Sequence, residues 1–169
     1  MQADQQRHRT LERLMKEHGS RLLRMCTLYL RDESLAEDAV QEAFLKAYRS
    51  LSGFRGQCSE QTWLTGIAIN VCRDALRTAW FRRIDRHVDI AALPECAQAD
   101  TYADDTVLTA VMQLAPRLRE VILLRYYQGL TIHETADALH LASSTVKARQ
   151  QKANAILRSR LKEWYFNEE

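Results

Sequence analysis

Residues 54–72, FRGQCSEQTWLTGIAINVC, place two aromatic side chains, two glycines, two cysteines and an asparagine around a short polar break. Gly53 directly precedes this segment, so two of the five glycines in the chain fall within four positions. Glycine adopts backbone conformations closed to other residues and lets another molecule approach the main chain. An asparagine amide can both donate and accept hydrogen bonds. The segment therefore predicts a tight turn that forms either a binding loop or a thiol site.

Metal binding would have to use Cys58, Cys72, His133 and His140. None of these residues has the paired short spacing of structural zinc sites, and the two histidines straddle a predicted turn. The four cysteines contain no C-x-x-C pair, and a reducing compartment would keep them as thiols. We expect core thiols, surface histidines, no metal and no cofactor. The sequence contains no phosphate loop, nucleophile elbow or metalloprotease motif that would indicate an enzyme.

Basic side chains without acidic neighbours mark the segment 141–162, where they are Lys147, Arg149, Lys152, Arg158, Arg160 and Lys162. The surrounding sequence TIHETADALHLASSTVKARQQKANAIL has the layout of a helix-turn-helix. A short helix at residues 132–139 and a turn at residues 140–141 precede a second helix capped by Ser143 or Ser144. The alternative is a helical hairpin with a solvated basic face. The absence of acidic residues favours DNA, since phosphate neutralisation dominates nucleic-acid affinity.

Composition favours helices as the elements that position these residues. The 169-residue chain is 46% hydrophobic and 27% charged, which is ordinary for a soluble globular protein. Two prolines, five glycines and few β-branched runs predict an all-α fold. The acidic stretch from Asp85 to Asp105 precedes the basic helix, which suggests two modules. A polar start and the lack of an apolar run near the roughly 20 residues of a membrane span predict a cytoplasmic protein.

Apolar spacing predicts three helical regions in the first module. Residues 11–30 indicate one or two amphipathic helices, broken or bent at Gly19. Ser34 and Glu37 fit a capping box that opens the next helix. That helix would bury the stripe Ala36, Val40, Ala43, Phe44, Ala47 and Leu51. A third helix from about Ser59 toward Trp80 carries a core stripe and a possible working face, formed by Trp63, Ile67, Asn70, Asp74 and Arg77.

The second module is predicted to contain four short helices after a linker at residues 82–104. The linker shows no sustained period and contains Pro94. One helix should stop near Pro116, and the next should end with Gly129 in the left-handed conformation. Thr131 with Glu134 predicts a second capping box. The predicted domains are therefore residues 8–81 and 105–165, which are two small helical domains joined by a flexible linker.

Taken together, these segments resemble a bacterial extracytoplasmic-function sigma factor, the compact two-domain class of RNA polymerase specificity subunits in the sigma-70 family. AEDAVQEAFLKAYRSLSGFRG followed by TWLTGIAINVCRDALR is similar to the first conserved domain of that family, the region 2 helical bundle. LAPRLREVILLRYYQGLTIHETADALHLASSTVKAR is similar to its second domain, the region 4 helix-turn-helix. The resemblance implies an alternative sigma factor that binds core RNA polymerase, directs it to minus-thirty-five and minus-ten promoter elements, and helps melt the DNA.

The resemblance also implies that the helix matching residues 38–49 docks on the clamp helices of the largest polymerase subunit, β′. The matching docking residues are Asp38, Gln41, Glu42 and Leu45. From the residues alone, an ordinary solvated helix face is the alternative. The other implied partners are the β flap of the polymerase, promoter DNA and an anti-sigma factor, which in this family is often membrane-bound.

For the minus-ten element, the resemblance implies a pocket that holds an unstacked base of the non-template strand. The matching residues are Phe54, Arg55, Gly56, Gln57, Ser59, Trp63, Asn70, Arg73 and Arg77. Trp63 is given a supporting role, because a tryptophan on an amphipathic helix is more often part of the core. The arginines, together with Arg82 and Arg83, would contact the strand backbone, with a solvated surface as the alternative.

For the minus-thirty-five element, the matching residues are Ser144, Thr145, Lys147, Ala148, Arg149, Gln151 and Lys152. Lysine can reach guanine acceptors, glutamine can pair with adenine, and alanine can pack on a thymine methyl group. Ser144 and Arg149 are expected to contact phosphates. Gln150, Gln151 and Asn154 differ from the residues that relatives often carry, which leaves the preferred DNA sequence open.

Two other classes of protein stay open at this point. A stand-alone DNA-binding regulator would use only the helix-turn-helix and would not need the docking helix or the loop at residues 54–59. A zinc or nucleotide enzyme would need a bound metal or ligand. The ordered occurrence of all the segments favours the sigma factor.

Overall fold

The computed structural model describes the backbone of residues 1–85 and 105–166, and the side chains of residues 1–79 and 106–162. Every regular element in these ranges is helical, which confirms the all-α class. The chain divides into two compact units, Met1–Asp85 and Arg86–Glu169. Among the described residues, no helix combines the length and the apolar character that a membrane span requires.

Three helices build the first unit: α1 (Gln2–Leu30), α2 (Glu33–Ser50) and α3 (Glu60–Asp85). A single 3₁₀ turn at Leu51–Gly53 follows α2. Helix α2 packs against both α1 and α3, and its small buried side chains let the two neighbours approach closely. The buried core includes Leu14, Leu22, Met25, Cys26, Ala36, Ala39, Ala43, Phe44, Ala47, Leu64, Ala68, Ile69, Val71 and Cys72.

Helix α1 is one continuous helix, so the break predicted as one alternative at Gly19 is wrong. A glycine inside a helix costs about 1 kcal/mol relative to alanine. Leu14 before Gly19 and Leu22 after it are both buried against the rest of the unit. Burying a leucine side chain contributes about 1.5–3 kcal/mol, so packing on both sides outweighs the cost of the glycine.

The start of α2 also differs from the prediction, because Asp32 rather than Ser34 is the N-cap. Helix α1 ends at Arg31, which adopts the left-handed conformation with φ 58° and donates its N–H to the Thr27 carbonyl at 2.8 Å. Asp32 is then the first extended residue, and its carboxylate accepts from the Leu35 N–H at 2.9 Å. Since Ser34 already lies in the first turn, the predicted capping box is wrong.

Polar contacts tie the N-terminal half of α1 to its neighbours. The Arg7 guanidinium lies 4.5 Å from the centre of the Tyr48 ring and donates to the Tyr48 carbonyl at 2.8 Å. Further along α1, Arg13 donates two hydrogen bonds to the Glu60 carboxylate, at 2.7 and 2.9 Å. This bidentate pair holds the first turn of α3 against α1, and its hydrogen bonds lower the pKa of the Glu60 carboxyl below its usual value.

Helix α3 continues beyond Trp80 to Asp85, which is four residues into the segment predicted as a linker. The remainder of that predicted linker, residues 86–104, lies outside the described residues, as do the side chains of Arg82 and Arg83.

The second unit contains α4 (Asp105–Met112), α5 (Pro116–Ile122), α6 (Ile132–Leu139) and α7 (Ser143–Phe166). A π-helical turn, Leu123–Tyr127, extends α5. Helices α4, α5 and α6 all pack against α7. The buried core includes Val111, Leu114, Leu118, Val121, Ile122, Leu124, Leu130, Ala136, Leu139, Val146 and Ala153. Helix α7 has 24 residues, so the prediction that all four helices are short is wrong for α7.

Two predicted helix boundaries of this unit are confirmed. Gly129 has φ 71° just after the π-helical turn, where a left-handed residue lets the chain leave the helix. Thr131 and Glu134 form the capping box. The Thr131 hydroxyl accepts from the Glu134 N–H at 3.1 Å, and the Glu134 carboxylate accepts from the Thr131 N–H at 2.7 Å.

The turn between α6 and α7 lies at His140 and Leu141, as predicted, and His140 takes the left-handed conformation with φ 54°. The Leu141 N–H donates to the Ala136 carbonyl at 2.9 Å, which closes the end of α6. Because the turn closes so early, α7 already begins at Ser143. The position before the helix belongs to Ala142, whose carbonyl accepts from the Val146 N–H, so the serine cap is wrong.

Candidate nucleic-acid interface

The outer face of α2 carries the residues predicted to dock on the polymerase. Asp38 and Gln41 are exposed, Glu42 is half-buried, and Leu45 is 50% exposed. A groove of about 550 Å³ runs between α1 and α2 beside them. Its lining residues are Leu11, Met15, Gly19, Ser20, Leu23, Val40, Gln41, Phe44 and Leu45. The structure therefore joins Gln41 and Leu45 to an apolar groove.

The contribution of α1 to this groove was not predicted from the sequence, which indicated only one or two amphipathic helices over residues 11–30. Met15 is 49% exposed, and Leu11 and Leu23 are half-buried. The available signal was the pairing of adjacent apolar residues, such as Leu14 with Met15. Neighbours in a helix point about 100° apart, because a turn contains 3.6 residues. Met15 is therefore turned away from the packed face that buries Leu14.

The loop between α2 and α3 is held at its α3 end. Gly56 has φ 74°, a conformation that side-chain-bearing residues rarely adopt. The Gln57 amide oxygen accepts from the Arg55 N–H at 3.1 Å across this glycine. Ser59 acts as the cap of α3, since its hydroxyl oxygen accepts from the Thr62 N–H at 3.1 Å. The loop is therefore locally ordered around the predicted glycine.

Phe54 and Trp63 form a stacked aromatic pair between the loop and α3. Their ring centroids are 4.5 Å apart and their planes are inclined by 20°. Both side chains are half-buried, so Trp63 is neither a core residue nor a free stacking platform. One face of each ring is covered by the other ring. This contact brings together two of the residues predicted to form the base pocket, and it packs the loop against α3.

Asn70 lies on the same face of α3 as Trp63 but seven residues further on, about 10 Å along the helix axis. It is half-buried, and its amide nitrogen donates to the Gly66 carbonyl at 2.7 Å. This bond fixes the direction of the amide. The structure therefore places Asn70 beyond the aromatic pair, with Ile67 half-buried on the surface between them.

Arg73 and Arg77 of α3 have protein partners in the structure. Arg77, which is mostly exposed, donates to the Asp74 carboxylate at 2.7 Å. Arg73 is half-buried and also interacts within the protein. An exposed pair such as Arg77 with Asp74 is worth only about 0–1 kcal/mol. It can therefore be exchanged for a phosphate contact at little cost.

Helix α7 exposes the residues predicted to read bases. Lys147, Ala148, Gln151 and Lys152 are all exposed, whereas Val146 and Ala153 are buried on the opposite side. Among the predicted neighbours near the helix start, Ser144 is exposed and Thr145 is half-buried. The amphipathic division of α7 thus separates a core-facing side from a side available to a groove.

Arg149, which was predicted to contact a phosphate, lies beside an acidic side chain of α5. Its guanidinium lies 3.5 Å from the carboxylate of Glu120 on α5, and the Glu120 side chain is only 2% exposed. The Arg149 side chain itself is 22% exposed. A buried carboxylate requires a partner, because transfer of an isolated charge out of water is very costly. The geometry gives Arg149 a structural role that links α5 to α7.

A polar network between the π-helical turn and α7 was not foreseen. Gln150 accepts from Arg125 at 2.8 Å and donates to the Tyr126 hydroxyl at 3.3 Å. Asn154 also donates to the Tyr126 hydroxyl, at 3.1 Å. Gln150 and Asn154 are two of the residues that depart from the pattern of relatives. No local sequence signal reveals the network, because its partners lie 24 to 28 positions apart in the chain.

Of the zinc ligands considered from sequence, Cys58 and Cys72 belong to the first unit, and His133 and His140 belong to the second. Within the described residues, the one group of potential metal ligands is Glu17, His18 and Glu60. Arg13 already hydrogen-bonds both carboxylates of that group, at 2.7–2.9 Å. Cys58 lies half-buried at the edge of the loop.

Cys72 is a core thiol, as predicted, and it is completely buried together with Cys26. Contact with the Cys26 thiol and burial raise the pKa of the Cys72 thiol above its usual value. A thiol that stays protonated is a poor nucleophile and a poor metal ligand. The cysteine pair therefore fills space in the core.

Comparison with known proteins matches both units to parts of one family. Residues 14–82 match the family described as Sigma-70 region 2, and residues 104–155 match Sigma-70, region 4. The ECF RNA polymerase sigma factor SigM of Mycobacterium tuberculosis is 33% identical over 147 residues, which cover 86% of this chain and 74% of SigM.

Two solved structures are also similar. CnrH, determined in complex with the cytosolic domain of CnrY, has a TM-score of 0.68 and 28% identity, with 95% of this chain and 93% of CnrH covered. The sigma factor RpoE of Bartonella quintana, determined with the anti-sigma factor NepR, has a TM-score of 0.73 and 24% identity. In that pair, 89% of this chain and 95% of RpoE are covered, and the likeness shows a shared fold.

Proposed function

The chain belongs to the extracytoplasmic-function sigma factors of the sigma-70 family, which direct RNA polymerase to promoters, and on that premise we propose how its surfaces divide the work. The first unit binds core polymerase and the minus-ten element, and the second unit binds the minus-thirty-five element. The observation that carries this division is that each unit exposes its own candidate surface: the loop with α3 in one, and the basic side of α7 in the other. A sigma factor performs no covalent chemistry itself.

Polymerase docking uses the α2 face and its groove. Gln41 and Leu45 line the groove, while Asp38 and Glu42 supply carboxylates at its side. Exposed apolar surface beside a polar rim is typical of a protein interface. A helix of the polymerase clamp fits this site, because an amphipathic helix places its apolar side chains in such grooves. The β flap is proposed to contact the second unit.

The loop at residues 54–59 and α3 hold an unstacked base of the non-template strand. Gly56 permits close approach to the main chain, and the stacked pair of Phe54 and Trp63 provides an apolar wall. Asn70, oriented by its bond to the Gly66 carbonyl, supplies polar groups further along the same face. Arg73 and Arg77 are placed to contact the strand backbone after exchanging their present partners.

Replacing Asn70 with alanine tests the pocket. The mutant should impair promoter opening more than binding of the closed complex, because only the unstacked base meets the pocket. Permanganate reactivity of unpaired thymines reports opening, and binding to the duplex at low temperature reports the closed complex. Thr78→Ala, at an exposed position further along α3, is the matched control. Equal opening by Asn70→Ala and the control would remove Asn70 from this role.

Helix α7 reads the minus-thirty-five element in the major groove. The exposed set Lys147, Ala148, Gln151 and Lys152 provides lysine donors, an amide and a methyl group toward base edges. Ser144 is close to the helix N-terminus, where phosphates are favoured. We place the protein in the cytoplasm with the polymerase.

Regulation by an anti-sigma factor forms part of the proposal. CnrH, at 28% identity, was solved with the cytosolic domain of another protein, which supports a regulator that presents a cytosolic domain to this chain. Purifying this protein from its own cells and identifying the proteins that co-purify with it would identify such a partner.

Transcription with purified core polymerase is the direct test of the whole proposal. The holoenzyme should start transcription at specific promoters in a genome-wide run-off assay, and it should need both promoter elements. A stand-alone regulator would bind DNA but would not restore promoter-specific initiation to core polymerase. Absence of selected start sites would therefore reject the proposed function.

A further inference from the structure

Tyr126 is an exposed aromatic residue that has no role in the functions proposed for the two units. It lies in the π-helical turn that extends α5, and 58% of its surface is exposed. π-helical turns are rare in proteins and frequently occur at functional sites. The Tyr126 hydroxyl reaches α7, where it meets the side chains of Gln150 and Asn154.

In the hydrogen bonds around Tyr126, the neighbouring side chains donate and the Tyr126 hydroxyl oxygen accepts. Arg125 can only donate, and its guanidinium donates to the Gln150 amide oxygen at 2.8 Å and to the Leu130 carbonyl. With its oxygen used in this way, Gln150 donates through its nitrogen to the Tyr126 oxygen at 3.3 Å. Asn154 adds a second donor to the same oxygen at 3.1 Å. A hydroxyl group accepts at most two hydrogen bonds, so the remaining capacity of Tyr126 is to donate its own proton.

The position of Tyr126 matches the path of a DNA backbone beside α7. Asn154 follows Lys147 by seven residues, so both lie on nearly the same face, about 10 Å apart along the helix axis. A recognition helix uses its N-terminal turns to meet base edges, while backbone contacts flank them. Lys147 lies in those N-terminal turns, and Tyr126 lies one to two turns later at the side of the exposed face. Phosphate oxygens only accept hydrogen bonds, which complements a hydroxyl whose available capacity is donation.

We propose that the Tyr126 hydroxyl donates a hydrogen bond to a phosphodiester oxygen of the minus-thirty-five DNA, oriented by Arg125, Gln150 and Asn154. The inference rests on the proposed use of α7 as the reader of that element. It also accounts for Gln150 and Asn154, two of the three residues that depart from the pattern of relatives. Their amides hold the tyrosine, and the bases are read by the exposed residues beside them.

The test compares the holoenzymes of wild-type and Tyr126→Phe protein on promoter duplexes in which single phosphates of the minus-thirty-five region are replaced by methylphosphonates. Tyr126→Phe removes one hydroxyl from an exposed ring, so the fold is retained. Loss of the hydrogen bond should weaken binding about three- to tenfold. Methylphosphonate at one particular phosphate should weaken wild-type binding by a similar factor and leave Tyr126→Phe binding almost unchanged.

Control variants separate the possible outcomes. Lys147→Ala should bind more weakly overall yet keep the sensitivity at that phosphate, and Gln150→Ala should lose part of it because the hydroxyl is no longer oriented. An identical methylphosphonate profile for wild type and Tyr126→Phe would overturn the proposal. Weakened assembly with core polymerase in the absence of DNA would also overturn it, since the surface would then face protein. If Lys147→Ala bound the promoter as tightly as wild type, and wild type bound equally well without the minus-thirty-five duplex, then the proposed reading of that element by α7 would itself be wrong.

Discussion

Replacing Arg149 with alanine should destabilise the second unit and should leave the salt dependence of DNA binding unchanged. The Arg149 guanidinium neutralises Glu120, whose side chain is 2% exposed, across a distance of 3.5 Å. The alanine variant would leave that carboxylate buried without its cationic partner. A phosphate-binding arginine would behave in the opposite way, because its loss would weaken DNA binding without affecting the fold.

The expected magnitude follows from the burial of the two side chains. Removing one partner of a fully buried ion pair costs about 3–5 kcal/mol. Arg149 is 22% exposed, so water already reaches part of the pair, and Glu120 has further interactions within the protein that persist in the variant. We therefore expect a loss of about 2–3 kcal/mol, at or just below the lower end of that range. Arg149→Lys, which keeps the charge but loses the planar fork of donors, should cost less.

Hydrogen exchange measured by mass spectrometry on the full chain can test this prediction, because it reports each unit separately. The slowest amides of α5 and α7 should exchange roughly 30 to 150 times faster in Arg149→Ala, while those of α1 to α3 should not change. A double-mutant cycle with Glu120→Ala should show that the two substitutions are strongly coupled.

DNA binding measured over a range of salt concentrations completes the test. Lys152→Ala should reduce the slope of log affinity against log salt by about one, as expected for a lost phosphate neighbour. Arg149→Ala should keep the wild-type slope. The reasoning is refuted if exchange in α5 and α7 stays at the wild-type rate, or if the slope for Arg149→Ala falls as it does for Lys152→Ala.

Three further predictions concern the first unit. Gly56→Ala should destabilise the loop by about 1–2 kcal/mol, because φ is 74° there, whereas Gly53→Ala should have little effect, as local hydrogen exchange can show. Glu60→Gln should lower stability at neutral pH and lose its effect at acid pH: the pKa of Glu60 is lowered in the folded state by its arginine partner, so its contribution exists above the unfolded pKa and disappears as the pH falls through the folded value. Denaturant titrations at both pH values measure this difference, and an effect that persists at low pH would contradict it. Leu45→Asp should weaken core polymerase binding at least tenfold while Lys46→Asp, outside the groove, should not; equal affinities in a pull-down titration would argue against groove docking.

Local patterns in the sequence were sufficient for the features that depend on neighbouring residues. The Thr131 and Glu134 capping box and the left-handed Gly129 were predicted correctly, because both are set by the chemistry of a few adjacent positions. The same local reasoning was wrong at Ser34 and Gly19. Helix α1 ends early enough that Asp32, two residues before the predicted cap, becomes the N-cap of α2 in place of Ser34. At Gly19, packing on both sides outweighs the low helix propensity of glycine.

The exposed face of α7 also followed from the sequence, since helical periodicity alone separates Val146 and Ala153 from the lysines. The family was evident from the order of the segments, which the comparisons then confirmed. The roles of individual residues on these faces stay predictions, because periodicity determines which side a residue occupies and does not identify what it touches.

What only the tertiary structure decided is the set of contacts between distant parts of the chain. Arg149 was predicted from sequence to contact a phosphate, and only the fold shows that its guanidinium also lies 3.5 Å from the Glu120 carboxylate. From sequence, Gln150 was only a residue that differs from those of relatives. The structure shows that the π-helical turn places the Tyr126 hydroxyl within hydrogen-bonding distance of its side chain. Such pairings depend on how α5 packs on α7. A sequence records the charge and size of each residue, whereas the partner that balances a buried charge is chosen by packing.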